Sequence, residues 1–188
     1  MHKKIRIKWN APFILAFVLL CLFTLVLNWI TRGKSNELLF MVYHSSLLSP
    51  LTYLRFFTHI LGHADFSHFF ANTAYLLLIG PIAEKQYGEK KLLIVFLTTA
   101  FLSGLINFIV FPNTALLGAS GVVFALIMLS SFTQFKKGEI PITVVLVAIV
   151  FLGQQIYEGI FVADSISQLT HIIGGIVGGI FGYYWNRE

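Results

Sequence analysis

Two side chains in this chain have types suited to covalent chemistry: the serine within Gly118-Ala119-Ser120-Gly121 and the histidine at position 171. A serine hydroxyl is a weak nucleophile until a neighbouring base takes its proton. Imidazole can do that near neutral pH. The small residues around Ser120 open a short apolar run, and the first backbone N–H groups of a helix starting there are left free and partly positive, as an oxyanion requires. The same four residues equally suit a small-residue packing patch between membrane helices. His68 and Asn72 stand at i and i+4, so both project to one helix face, where they could donate hydrogen bonds to a carbonyl oxygen gaining charge. An interhelical polar clamp fits that pair as well. His59-x-x-x-His63, with Asp65 and His68 nearby, raises a metal alternative. A zinc protease helix reads His-Glu-x-x-His, with Glu as the base. Here Ile60-Leu61-Gly62 intervenes, so that base is missing; both histidines are expected to bond backbone groups, and no metal or other cofactor is expected.

Composition says what must position these residues. Of 188 residues, 57% are hydrophobic and 11% charged, whereas soluble domains carry about 25% charge. Too few charges remain to coat a water-facing surface, so the expected fold is all-α, a polytopic membrane bundle forming one domain over 1–188. Cys21 is alone, which excludes an intrachain disulfide or a thiolate metal site. The net charge of +5 is dispersed in short clusters, a pattern suited to lipid headgroups rather than nucleic acid.

Hydropathy predicts six spans, at about 12–30, 67–83, 91–111, 119–134, 141–157 and 167–185. Residues 1–11 form a basic N-terminus, and the first span reads as a retained anchor rather than a cleaved signal. The 31–66 loop carries apolar patches too short to cross, suited to short helices and turns at the outer interface. Ten of the 13 Lys and Arg residues fall on one side of this topology and three on the other. Both termini should therefore be cytoplasmic, with Ser120 and His171 toward the outer face of the cell membrane. The fourth span, at roughly 24 Å, is shorter than the hydrocarbon core, so Ser120 is expected below the outer boundary, with Pro112–Leu117 dipping in. His171 shares a helical face with Gly175, Gly178 and Gly182, which would let a partner helix come close. If that partner is the Ser120 helix, facing it with Gly121 and Ala125, the imidazole can reach the hydroxyl; a packing histidine is the competing reading.

Together these residues resemble the rhomboid family of intramembrane serine proteases, over about 55–182. Gly118-Ala119-Ser120-Gly121 matches the family's Gly-x-Ser-Gly motif, and His171 with Gly174 and Gly178 matches its last-helix histidine and glycine pair. Arg55-Phe56-Phe57-Thr58-His59 resembles the first-loop segment leading into His63, His68 and Asn72, and Glu84 with Gly88 resembles the inner end of the second helix. The resemblance implies a Ser120–His171 dyad and no third carboxylate. It implies an oxyanion hole from the Ser120 N–H, His68 and Asn72, and single-span membrane proteins as substrates. Arg55, His59, Glu84 and the glycines would be scaffold. Two positions depart from the pattern: Phe124 stands where a tyrosine is common, and Leu54 where tryptophan is typical. The rival readings are an inactive rhomboid-like protein that binds clients, a channel or transporter, and a zinc protease. The first would be expected to lack the serine or the histidine, and the second would need charges lining a path.

Overall fold

The computed structural model describes residues 8–133, 139–153, 157 and 165–187, and the extended elements within them are isolated bridge residues. The helices are α1 (Pro12–Ile30), α2 (Pro50–Thr58), α3 (Phe66–Tyr87), α4 (Glu89–Val110), α5 (Ser120–Ser131), α6 (Ile142–Val147) and α7 (Ser165–Trp185). A π-helical turn, Ala148–Leu152, continues α6. Of these, α1, α3 and α4 are long and apolar enough to cross a membrane. The expected far ends of the fourth and fifth spans (134 and 154–156), the Lys136–Lys137 pair and the basic run Lys3–Arg6 lie outside the described residues.

The bundle buries polar side chains while exposing large apolar ones. In α1 the buried positions Ile14, Phe17, Cys21 and Thr24 recur every three or four residues, one stripe of a helix that is apolar all round. Trp29 is 82% exposed and Leu78 70%, while Arg55, His59, Asn72, Glu84 and Asn107 are buried. In water this would expose a large apolar surface for no return; against acyl chains it is the stable arrangement. The chain is a multi-pass membrane protein.

Glycine at position 88 makes the tightest reversal. It ends α3 and starts α4 at φ +79°, a left-handed conformation that costs glycine nothing. Just before it, Glu84 reaches across to α1, where its two carboxylate oxygens accept from the N–H groups of Phe13 (3.1 Å) and Ile14 (2.9 Å). A buried carboxylate on the free amides of a helix start satisfies both partners.

At the centre stands α5, packed by α3, α4, α6 and α7. From Gly121 to Leu129 all its residues are buried except Phe124. Its 12 residues extend about 18 Å, so it begins well inside the fold, where an irregular entry loop is tolerated only against protein.

The 31–66 segment supplies that protein. It forms a π-helical turn (Asn36–Phe40), α2, and a 3-10 turn (His59–Leu61). Polar side chains bind its carbonyls: Arg55 Nε donates to Leu38 O (3.0 Å), Thr58 Oγ1 to Leu39 O, and Asn36 Nδ2 to His63 O (2.9 Å). From α1, Thr24 Oγ1 donates to Leu61 O at 2.5 Å. The Arg55 guanidinium also lies over the Tyr43 ring, 4.5 Å from its centroid. Leu54 is exposed, so the segment is anchored through these bonds rather than through that position.

Candidate active site

Three parts of the chain meet at the first turn of α5. The first is the loop that leads into it. Leu116 pairs with Val42 in both directions (2.9 and 2.8 Å), and Gly118 N–H donates to His59 O (2.9 Å). Gly118 holds φ +124°, and a Cβ there would lie 2.7 Å from the His68 ring. Conformation and space therefore both require glycine at this position. Ala119 caps the helix without a side-chain bond, so the amides that open α5 are not consumed by a capping group.

The second is the start of α3. The Asp65 carboxylate accepts from His68 N–H at 2.8 Å, a helix cap that fixes His68 in the first turn and Asn72 one turn on. Both face the Gly118 backbone: Asn72 Nδ2 lies 3.8 Å from where a Gly118 Cβ would sit. His63 Nδ1 pairs with Leu61 O (3.1 Å) and its Nε2 with Asn72 Nδ2 (3.1 Å). Only the Nδ1–H tautomer satisfies both, since the carbonyl and the carboxamide nitrogen leave no other assignment of donor and acceptor. One Asn72 N–H is thereby directed at His63, and the second is left for another acceptor.

The third is α7. A Cβ on Gly174 would fall 1.9 Å from Gly121 O, and one on Gly178 would fall 2.0 Å from Ala125 O. The two backbones therefore touch, with no side chain between them. Further along the same face Gly182 abuts the Phe132 ring. This seating lays the His171 ring on Phe124, one turn after Ser120, with centroids 4.3 Å apart and planes 4° from parallel. Ser120 thus stands in sequence between Gly118, which meets His68 and Asn72, and Phe124, which meets His171. Ser120, His68 and His171 are half-buried, and Asn72 is buried.

His59 and His63 bond as interior groups of the loop. His59 Nε2 pairs with Ala100 O at 3.0 Å, and burial pushes its pKa down to about 4. His63 is also lowered to about 4, first by burial and then by the neighbouring His68, against the opposing pull of Leu61 O and Asp65. The backbone bonds match the sequence expectation. The contact between His63 and Asn72 does not follow from sequence: a loop's return onto a helix nine residues later leaves no periodic signal. Among the described residues no group of three or more His, Cys, Asp or Glu side chains is gathered as metal ligands would be. Glu84 and Gly88 lie at the opposite end of α3 from His68.

A sequence model of the rhomboid domain matches residues 50–188, and the chain belongs to the rhomboid family. Among its relatives, the rhomboid protease GluP of Bacillus subtilis is 26% identical over 173 residues, covering 89% of this chain and 32% of that protein. Rhomboid-related protein 1 of Caenorhabditis elegans is 28% identical over 138 residues, 69% of this chain and 39% of the relative. Rhomboid-related protein 2 of Mus musculus is 28% identical over 158 residues, with 73% and 52% covered. The chain thus spans about a third to a half of the length of these relatives.

Proposed function

We propose that this chain is an intramembrane serine endopeptidase that cuts membrane-spanning proteins in or near their transmembrane segments. The observation that carries the reading is the backbone contact of α7 with α5, which brings His171 beside the turn that bears Ser120. Ser120 Oγ attacks the scissile carbonyl while His171 accepts its proton and later returns it to the leaving amine. The oxyanion is met by the Ser120 N–H, His68 and the free N–H of Asn72, with His63 orienting that carboxamide. Water then hydrolyses the acyl-enzyme. Buried polar atoms on α4 and α7 support a route for that water: Thr99 Oγ1, Asn107 Oδ1 and Gln168 Oε1 have no hydrogen-bond partner among the described residues.

In this reading the chain forms one rhomboid domain with six spans. Its termini are cytoplasmic and its site opens to the outer side of the cell membrane. No metal or cofactor takes part, and nucleic acid is not a partner.

The test is chemical labelling with turnover. A fluorophosphonate should label Ser120 in the purified protein. Ser120→Ala and His171→Ala should each lower cleavage of a single-span substrate by at least about 10⁴-fold without unfolding the protein, and a chelator should change nothing. Cleavage that survives either substitution removes the dyad, and an unlabelled, inactive wild type leaves a client-binding protein.

A further inference from the structure

The end of α1 packs beside the start of α3, and the junction between them is not closed. Two cavities of about 540 and 500 Å³ lie there, and Asn28 and Trp29 border both. The first also takes in Arg32 and Gly33, in the turn that ends α1. The second is walled by Leu22, Leu25, Val26 and Phe66 and includes Asp65. Leu22, Leu25, Val26 and Trp29 stand at i, i+3, i+4 and i+7, so they form one apolar stripe running from the helix end toward its middle.

The charges at this junction have capacity to spare. Asp65 Oδ1 accepts from His68 N–H (2.8 Å), and the carboxylate is exposed. Arg32 is exposed too, in a turn at φ +52° that side chains other than glycine rarely adopt. Among the described residues no ion pair joins the two. A cation, an anion and an indole at the mouth of an apolar cleft match the parts of one kind of molecule. A guanidinium holds a phosphate in a forked pair, while a carboxylate and an indole face together hold an ammonium. Tryptophan is also the residue that sits at headgroup depth.

We propose that the α1–α3 junction binds a phospholipid whose head joins a phosphate to a primary ammonium, as in ethanolamine lipids. Arg32 takes the phosphate, Asp65 and Trp29 take the ammonium, and the cleft takes an acyl chain. A purely anionic head meets the Asp65 carboxylate, and a choline head offers it no N–H. The bound lipid ties α1 to the first turn of α3, so it stabilises the fold. Lipid capture here needs no Ser120–His171 chemistry, so the two proposals can fail separately.

Trp9→Phe with Trp185→Phe leaves Trp29 as the one indole of the full chain. That protein is placed in choline-lipid vesicles carrying a small fraction of brominated lipid, which quenches an indole it touches. Brominated ethanolamine lipid should displace choline lipid at Trp29 with about fivefold preference, and brominated glycerol phospholipid should show none. Asp65→Asn keeps an oxygen for the His68 amide, and it should abolish the preference. Arg32→Gln should narrow the advantage of ethanolamine lipid over brominated diacylglycerol, which has no phosphate. Equal quenching by all heads, a preference for the glycerol head, or preferences unchanged in both variants overturns the proposal. So does an indole that no brominated lipid reaches, because protein then covers the junction. In the unsubstituted chain in detergent, ethanolamine lipid should raise the melting temperature more than choline lipid does, and Asp65→Asn should cancel the difference. Equal melting temperatures with the two lipids count against the site as well.

Discussion

The two ends of the bundle use polar groups differently. At the end where α3 turns into α4, the polar ties between helices are paired on both sides. Both oxygens of Glu84 bind the first amides of α1, and the Tyr87 hydroxyl donates to Leu129 O (3.0 Å) while accepting from Asn186 Nδ2 (2.8 Å). At the end bearing Ser120, capacity is left over. Asn72 has one N–H spare after His63, and the opening amides of α5 are uncapped by any side chain. A fully satisfied polar network rigidifies, whereas one with an open position can stabilise charge that appears only during a reaction. One end locks helices together, and the other keeps the hydrogen-bonding capacity that the proposed chemistry requires.

That contrast makes predictions of graded size. Asn72→Ala should have the largest effect, a fall in kcat of about 10²–10³-fold with little change in thermal midpoint; an unchanged rate would make the residue a packing clamp. Glu84→Ala should do the reverse. It strands two helix-start amides, so stability should fall by about 1–3 kcal/mol, visible as a lower melting temperature in detergent. Fluorophosphonate labelling of Ser120 well below that temperature should persist, and loss of labelling at constant stability would break the division between the two ends. Tyr87→Phe removes one donated bond and should cost about 1 kcal/mol with kcat unaltered.

Acid gives the gentlest handle. His59 and His63 are held neutral, with folded pKa values of about 4 against an ordinary 6.5. Between those values the unfolded chain binds more protons than the folded one, so stability declines as pH drops from about 6.5 toward 4 and levels off below. Protonated His63 can no longer accept from Asn72, so activity should fall over the lower part of the same window. A melting temperature that is flat from pH 7 to 4 would contradict the neutral, buried state.

Much of this was legible in the chain. The apolar runs gave three long helices near their expected limits: 67–83 became Phe66–Tyr87, and 91–111 became Glu89–Val110. The glycine run of the last helix is readable as a face open to another backbone, but the contact runs through Gly174, Gly178 and Gly182, whereas the periodicity from His171 points to Gly175 beside Gly178 and Gly182. What was not legible depends on distant pairs. Glu84 reads as one acid at a helix end, and nothing local says that it caps α1 some 70 residues earlier. The bridge between Val42 and Leu116 joins two loops with no shared periodicity. The π turn Ala148–Leu152 has no local signal either, because Ile142–Leu152 reads simply as an apolar run.

The main-chain contact between α5 and α7 bears on what heat or a harsh detergent would undo first. At Gly174 and Gly178 these two helices have no side chain interposed to rearrange. They behave as a single machined part whose internal spacing survives loosening of its surroundings. Damage to such a molecule therefore starts at the periphery, in the loop ties, and the spacing of the α5 and α7 backbones is the last dimension to change.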